Sequence, residues 1–210
     1  MRLQLNLLMA TNMILYGASG HCKVIIDSLE CAQIAIQTIV DDNPNTTSIS
    51  GRPVVHSSQI SLQESDEVIL SIGNNKVRQK LSSELKVQFA KAIHPTAIIS
   101  KHVTINEGTV IMAGAIINPD VTIGKHCIIN TAAVVEHDCV IGDFVHISPN
   151  TSLAGGVQVG EGSQVGIGAT VIQGIKIGKW CVIGAGAVII KDIPDNCIVV
   201  GDPGKIIKTI

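Results

Sequence analysis

Aliphatic residues recur at every sixth position through the second half of the chain. The series starts at Ile99 and ends at Ile189, and all sixteen of its positions hold Ile, Leu or Val. The residue two places before each of them is small or medium-sized. Neither a helix of period 3.6 nor an alternating strand sustains this pattern over such a length. The pattern therefore predicts a solenoid in which three short strands make one coil of eighteen residues.

The geometry of such a coil follows from the same positions. We expect each aliphatic side chain to point into a triangular prism, and the small residue before it to let the wall turn tightly. Stacked coils should lie about 4.8 Å apart, the usual distance between strands. Glycine often follows the aliphatic residue, where we expect a tight corner, at positions Gly124, Gly142, Gly160, Gly166, Gly178 and Gly184.

The first ninety residues follow a different pattern, in which short apolar strands alternate with amphipathic helices. We predict strands at Met13–Tyr16, 37–40 and 67–72, with helices at about Cys22–Cys31 and 76–85. This alternation indicates a small parallel sheet that binds ligands at the carboxyl ends of its strands. The predicted organisation is a flexible leader (1–12), an α/β domain (13–93) and a β-helix domain with a C-terminal tail (94–210).

Composition narrows the possible functions. Hydrophobic residues make up 46% of the 210 residues but aromatic residues only 2%, which fits a thin aliphatic interior. The net charge of −2 provides no basic field for nucleic acid. No apolar run approaches the roughly 18 residues of a membrane span. The six cysteines show no CxxC spacing, so we expect no metal site and a reducing, cytoplasmic location.

One histidine occupies a position suited to acyl transfer. His137 falls at a predicted corner of the prism, and Gly155 occupies the same corner eighteen residues later. An imidazole at this position can take the proton of an attacking amine or hydroxyl, while the Gly155 N–H holds the oxygen that gains charge. Asp138 can orient the ring. The alternative from spacing alone is an ordinary surface histidine.

The hexad pattern resembles the hexapeptide-repeat acyltransferases over nearly the entire chain. The run from Asn130 to Gly142, with Glu136-His137-Asp138 at its centre, resembles the catalytic coil of bacterial UDP-4-amino-sugar N-acetyltransferases of the bacillosamine pathway. Sialic acid O-acetyltransferases are similar there. The resemblance implies a Rossmann-like domain followed by a left-handed parallel β-helix, and homotrimers with acetyl-CoA between the prisms. It also implies that His137 is the general base and Asp138, where many relatives carry Glu, its support.

The same resemblance implies a set of residues that contact acetyl-CoA. We expect His146 on a different face from His137, near the site of a neighbouring subunit. We expect Gly166, Ile167 and Ala185 on or beside the corner line of His137. The predicted cofactor residues are Asn130, His146, Gly155, Gly166, Ile167 and Ala185. His56, His94, His102 and His126 are expected to be surface or corner residues.

The loops that follow the three predicted strands resemble the nucleotide-sugar pocket of this family. The helix N-terminus after the first strand suits a pyrophosphate, and Asp41 or Asp42 suits uracil or ribose. The predicted substrate residues are Gly17, Ala18, Ser19, Gly20, His21, Asp41, Asp42, Gly73 and Asn74. Ordinary βα turns are the structural alternative. A dinucleotide site is disfavoured because the second glycine pattern is missing.

Together these features predict transfer of acetyl from acetyl-CoA to the 4-amino group of a UDP-linked sugar. O-acetylation of sialic acid or a related sugar uses the same base and is the alternative. A non-catalytic β-helix scaffold has no need of the His137–Asp138 pair. A β-helix of the carbonic anhydrase kind needs more histidine ligands than His137 and His146 supply.

Overall fold

The computed structural model describes residues 13–210, so the predicted leader lies outside the described residues. The N-terminal part contains two helices, a 3₁₀ turn at Ser57–Gln59 and seven strands. These elements are β1 (Met13–Tyr16), α1 (Gly20–Cys31), β2 (Ile36–Asp41), β3 (Ser48–Ile49), β4 (Arg52–Pro53), β5 (Val55–His56), β6 (Glu67–Leu70), α2 (Asn75–Glu84) and β7 (Gln88–Phe89). Among the described helices, none is long and apolar enough to cross a membrane.

Five of these strands form one parallel sheet. Its order is β5-β2-β1-β6-β7, with β1 between β2 and β6. The chain proceeds from β1 outward to β5 and then returns to the other side of β1. The carboxyl ends of β1 and β6 therefore flank a topological switch point, which is where ligands bind in sheets of this type. Apolar side chains at both faces bury β1 completely.

The remainder of the chain is a parallel β-helix. Two-residue strands follow one another every six residues, and from β9 onward each ends on the predicted aliphatic position. They are β8 (Ala92–Ile93), β9 (Ile98–Ile99), β10 (Thr104–Ile105), β11 (Val110–Ile111), β12 (Ile116–Ile117), β13 (Thr122–Ile123), β14 (Ile128–Ile129), β15 (Val134–Val135), β16 (Val140–Ile141), β17 (His146–Ile147), β18 (Ser152–Leu153), β19 (Gln158–Val159), β20 (Gln164–Val165), β21 (Thr170–Val171), β22 (Lys176–Ile177), β23 (Val182–Ile183) and β24 (Val188–Ile189). The chain closes with β25 (Cys197–Val200) and the antiparallel β26 (Lys205–Thr209).

These strands form the three faces of a prism. Face 1 contains β8, β11, β14, β17, β20, β23, β25 and β26; face 2 contains β9, β12, β15, β18, β21 and β24; face 3 contains β10, β13, β16, β19 and β22. Partners in neighbouring coils are eighteen residues apart, as Ile128 and His146 are. The aliphatic positions fill one continuous core. The predicted α/β domain followed by a hexapeptide β-helix is confirmed.

The sequence analysis predicted the wrong position for the tight turn at each corner. The left-handed backbone conformation falls three residues after the aliphatic position, as at Asp138 (φ +62°) and Phe144 (φ +60°). The glycines directly after the aliphatic residue do not have this conformation. They are needed because coils stack closely: a Cβ on Gly142 would lie 2.7 Å from the backbone nitrogen of Glu161.

Small polar residues inside the corners link successive coils. The hydroxyl of Thr109 donates to the Gly124 carbonyl (2.8 Å) and accepts from the Cys127 N–H (3.0 Å). Ser163 does the same with Gly178 (2.6 Å) and Cys181 (2.8 Å). Cys127, Cys139 and Cys181 are fully buried two residues before an inward aliphatic position, where they pack as small residues. The corner interior therefore satisfies backbone groups as well as filling space.

The N-terminal domain covers face 1, and this burial changes two predictions. His94 and His126 were expected as surface or corner residues. They fall between strands, as corner residues do, but their exposed fractions are only 7% and 3%, so neither is at the surface. Both lie where the domain packs on the prism, and the His126 ring contacts the ring of Phe89 edge-on at 4.5 Å. His102 is exposed, as expected.

Candidate functional site

His137 and Asp138 form a pair on the corner between faces 2 and 3. The Nδ1 atom of His137 lies 2.7 Å from Oδ2 of Asp138, and the two side chains are 62% and 65% exposed. In a neutral ring the Nδ1–H then donates to the carboxylate, which leaves the lone pair of Nε2 free to act as a base. The hydrogen bond to Asp138 raises the pKa of His137 above its ordinary value. The pair is thus held as the sequence predicted.

Gly155 lies one coil further along the same corner, directly against the His137 ring. A Cβ at Gly155 would lie 2.6 Å from Cε1 and 2.7 Å from Nε2 of His137. The next amide, of Gly156, donates to the His137 carbonyl at 2.9 Å and fixes the spacing between the two coils. A residue without a side chain is therefore required here to leave the ring in place.

Three predicted cofactor residues lie on a different corner from His137. Gly166, Ile167 and Ala185 belong to the corner between faces 1 and 2, which they share with Asn130. The stacking shows this directly, because the Gly186 N–H donates to the Ile167 carbonyl one coil earlier (2.8 Å). The expectation that they line the corner of His137 is wrong. Ile167 and Ala185 are both exposed there.

Asn130 and His146 meet His21 of the N-terminal domain beside face 1. Asn130 Oδ1 accepts from the Thr131 N–H (2.8 Å), which orients the amide so that Nδ2 donates to His146 Nε2 (3.0 Å). The proton of neutral His146 is therefore on Nδ1. This Nδ1 and the Nε2 of His21 are buried and have no partner within residues 13–210. The ring centroids of the two histidines are 6.4 Å apart.

Both histidines are neutral at physiological pH. Burial, followed by the charge of Arg78, lowers the pKa of His21 to about 4 and that of His146 to about 3. Two neutral rings with unpartnered nitrogens create a polar site without net charge. Such a site suits a hydrogen-bonding ligand group such as a carbonyl, a hydroxyl or an amine.

The switch point of the N-terminal sheet contains a cavity of about 370 Å³. The main-chain N–H of Ala18 donates to Oδ2 of Asp41, and Tyr16 Oη donates to Oδ1 of Asp42 at 2.7 Å. Gly17 has a φ of +109°, and a Cβ there would lie 2.4 Å from Cγ1 of Ile72. The residues that line this cavity include Tyr16, Gly17, Ala18, Ser19, Asp41, Asp42, Ile72 and Lys80.

Helix α1 begins at the edge of this cavity, which Ser19 lines. Ser19 occupies the N-cap position but makes no side-chain capping bond to the helix. A helix N-terminus without a side-chain cap suits an anion, so the phosphate site stays a prediction. Lys80 on α2 adds a positive charge to the same cavity, a residue that the sequence interpretation missed. The sequence signal for Lys80 is its position on α2, the helix that directly follows β6.

Gly73 and Asn74 have structural roles instead of lining this cavity. The Gly73 carbonyl accepts from Nη1 of Arg78 at 3.1 Å. Asn74 caps α2, because its Oδ1 accepts from the Val77 N–H at 3.1 Å. Sequence reasoning also missed Arg78, which is 1% exposed.

One group of possible metal ligands lies near the start of the prism. Asp27, Cys31 and His94 bring one ligand atom each within 4.8 Å of one another. However, Nδ1 of His94 accepts from the Thr96 N–H at 3.1 Å, so the proton of the neutral ring is on Nε2. Neither ring nitrogen is then free to coordinate a metal.

Comparison with known proteins gives the relationships of the chain. Residues 12–85 match the family model described as PglD N-terminal domain, and residues 156–191 match bacterial transferase hexapeptide repeats. UDP-N-acetylbacillosamine N-acetyltransferase of Bacillus subtilis is 43% identical over 111 residues. That match covers 49% of this chain and 51% of the relative, so it spans about half the length of the curated protein.

Solved structures match along nearly the whole chain. A variant of perosamine N-acetyltransferase from Caulobacter crescentus, solved with CoA and GDP-perosamine, is 39% identical with a TM-score of 0.88, and the match covers 94% of this chain and 97% of that one. The acetyltransferase domain of PglB from Neisseria gonorrhoeae, in complex with acetyl coenzyme A, is 35% identical with a TM-score of 0.87 over 94% and 99%. With this identity and coverage, the chain belongs to the family of sugar N-acetyltransferases built on a left-handed β-helix of hexapeptide repeats.

Proposed function

We propose that this protein transfers an acetyl group from acetyl-CoA to the 4-amino group of a UDP-linked amino sugar, with His137 as the general base. The observation that carries the proposal is the exposed His137–Asp138 pair above Gly155, in a chain that also has a nucleotide-type pocket at its sheet switch point. The relatives named above, which act on or bind nucleotide-linked amino sugars, support amine transfer.

The chemistry follows from the two ring nitrogens of His137. Nδ1–H is held by Asp138, so Nε2 takes a proton from the attacking amine while the nitrogen forms a bond to the thioester carbon. The Gly155 N–H binds the oxygen as it gains negative charge. The carbon–sulfur bond then breaks, and the imidazolium returns its proton to the sulfur of the departing CoA. Atoms and charge balance as an amide and free CoA, and no metal takes part.

The two groups of polar residues lie on different corners of one prism, which supports a site completed by a second copy. His137 lies between faces 2 and 3, whereas Asn130, His146, Gly166, Ile167 and Ala185 lie on face 1 or its corner with face 2. In a closed ring, different surfaces of neighbouring copies meet. Face 2 between the corners presents Ile98, Ile116 and Val134 outward, with Ile98 65% exposed. We therefore propose a homotrimer in which acetyl-CoA lies between prisms.

The nucleotide would lie at the switch point. Its pyrophosphate would bind the first turn of α1 and Lys80, and Asp41 or Asp42 would accept from the base or ribose. A cytoplasmic location is part of this proposal, supported by free thiols at all six cysteines. The alternative of sugar O-acetylation uses the same base, but the Bacillus subtilis and Caulobacter crescentus relatives named above are N-acetyltransferases.

A thiol-release assay tests the proposal. Acetyl-CoA is combined with UDP-4-amino sugars, with GDP-perosamine and with free sialic acid, using wild type, His137→Ala and the control His102→Ala, an exposed histidine of the same prism. We expect turnover with a UDP-linked amine, a loss of about 10²–10⁴-fold in His137→Ala, and no loss in the control. Turnover with sialic acid alone would favour the O-acetyltransferase. Turnover with GDP-perosamine alone would mean that the substrate carries GDP instead of UDP. Full activity in His137→Ala would show that His137 is not the general base.

A further inference from the structure

The first turn of α2 is attached to three successive coils of the prism at one corner. Asn75 Nδ2 donates to the Gly162 carbonyl (3.0 Å), and Arg78 donates to the carbonyls of Phe144 (3.0 Å, from Nη2) and His126 (2.9 Å, from Nε). These three acceptors are eighteen residues apart, so they form one stack on the corner between faces 3 and 1. A single helical turn thereby fixes the N-terminal domain on the prism.

The same guanidinium also holds the loop that borders the nucleotide cavity. Nη1 of Arg78 donates to the carbonyls of Ile72 (2.9 Å) and Gly73 (3.1 Å), and Nη2 donates to Oδ1 of Asn75 (2.9 Å). With the two bonds to the prism, all five N–H groups of the arginine have acceptors. Ile72 lines the cavity and contacts the space beside Gly17. Arg78 therefore connects the cavity wall directly to the prism.

The acceptors around Arg78 are all neutral oxygens, and the side chain is 1% exposed. Burial lowers the pKa of Arg78 to about 10, so the group stays charged at physiological pH. A buried charge of this kind is retained only when its hydrogen bonds are satisfied. Lysine has three donors and no fixed fork, so it cannot reproduce the five bonds. The arrangement is specific for arginine.

We propose that Arg78 is a positioning residue for acetyl transfer: it sets the nucleotide loop at Ile72 and Gly73 relative to the coils of the prism that carry Asn130 and His146. His21, in the first turn of α1, then lies at a fixed distance from His146 across the seam between the domains. This proposal rests on the proposed function. It predicts that loosening Arg78 weakens use of the nucleotide sugar without affecting acetyl-CoA.

The test compares Arg78→Lys and Arg78→Gln with Arg52→Gln. Arg52 is the matched control because it lies in the same domain and makes only an exposed ion pair with Glu30 (2.8 Å). We expect KM for the nucleotide sugar and Kd for UDP or GDP to rise about tenfold or more in both Arg78 variants, because several carbonyls lose their donors. KM for acetyl-CoA should stay within about twofold, because effects at separate sites are largely independent of one another. Arg52→Gln should match wild type in every value.

Trp180 provides a signal that is independent of turnover. It is the only tryptophan of the chain, its ring lies against Gly162, and the Nζ of Lys76 on α2 lies 5.9 Å from the ring centroid. Its fluorescence emission should change in both Arg78 variants and not in Arg52→Gln. If an Arg78 variant does not fold, Asn75→Ala takes its place. It removes one acceptor of Arg78 and the hydrogen bond to the Gly162 carbonyl. The same changes in nucleotide affinity and in Trp180 emission should follow, with a smaller magnitude.

The outcomes separate the two proposals. Unchanged nucleotide affinity in folded Arg78 variants would overturn the positioning role. So would a loss that is equal for both substrates and matches the unfolded fraction, since that is the result of a purely structural role. A wild-type protein that acetylates no nucleotide sugar would reject the proposed function alone; the role of Arg78 is then decided by the Kd for UDP or GDP and by the emission of Trp180.

Discussion

Replacing Gly155 with alanine tests the catalytic corner without removing any catalytic group. The new Cβ would lie 2.6 Å from Cε1 of His137, whereas carbon atoms in contact are separated by about 3.5–4.0 Å. The ring must therefore move by roughly 1 Å. It is free to do so because the His137 side chain is 62% exposed. The N–H of residue 155 remains in place, so only the position of the base changes.

A base that is misplaced by about 1 Å loses on the order of 10²-fold in rate. This is about 2.7 kcal/mol of transition-state stabilisation, at 1.36 kcal/mol for each factor of ten. Gly155 has no left-handed φ, so alanine is compatible with the backbone and should not lower the melting temperature. We expect kcat/KM of Gly155→Ala to fall about 10²-fold, with the protein still folded.

The assay is acetyl-CoA-dependent thiol release, measured for Gly155→Ala, His137→Ala and the double variant. In His137→Ala the ring is absent and the new methyl group has room, so adding Gly155→Ala should cause no further loss. Such a cycle isolates the interaction between the two positions. The reasoning is refuted when Gly155→Ala retains wild-type kcat/KM, or when it causes the same fold-loss in the His137→Ala background.

Three further predictions concern the base, the prism and the pocket. In Asp138→Asn, the pKa of His137 should fall because its hydrogen bond to the carboxylate is lost; the rising limb of the pH–rate profile should move to lower pH, while kcat drops. Ser163→Ala should leave the Gly178 carbonyl and the Cys181 N–H without their partner, destabilising the protein by about 1–3 kcal/mol, which thermal unfolding measures; an unchanged melting temperature would contradict this. Burial and Asp42 raise the pKa of Tyr16 to about 12, so its hydroxyl stays a hydrogen-bond donor. Tyr16→Phe should therefore raise KM for the nucleotide sugar a few-fold, and an unchanged KM would show that the hydroxyl does not contribute to substrate binding.

The periodic part of the fold was predictable because each coil repeats the same physical requirement. An inward position must be aliphatic in every hexad, so the sequence specifies every strand from β9 to β24. In the α/β domain, β1 was predicted with its observed bounds, whereas the third strand was predicted to Ile72 and ends at Leu70. There the chain leaves the sheet at Ser71, whose hydroxyl donates to the Gly17 carbonyl, a contact between distant segments.

The wrong corner for Ile167 and Ala185 has a definite cause. Both are separated from His137 by a multiple of six residues, so they share its place within the hexad. Among residues at the same place in the hexad, only those separated by a multiple of eighteen share a corner of the prism, as His137 and Gly155 do. A period of six identifies the kind of position, and the three-fold cross-section decides where it lies.

The seam between the domains was not predictable from the pattern of α2. Its residues are mostly polar, which is typical of a solvated helix, and only Leu81 and Arg78 are buried. Arg78 is buried because its acceptors are backbone carbonyls, and any residue type can supply a carbonyl. A single sequence therefore contains no signal for the partner side.

The contrast in exposure between the two groups of histidines supports the proposal that a second copy completes the site. His137 is open to water, and a base that reacts in a thioester site works best where water is excluded. His21 and His146 are already desolvated, and each retains a ring nitrogen without a partner among the described residues. The reactive base thus lies on the corner between faces 2 and 3, whereas the two unpartnered ring nitrogens lie beside face 1. In the proposed homotrimer, the corner of a second copy against face 2 would cover His137 and bring both ring nitrogens to the acetyl group or the sugar amine.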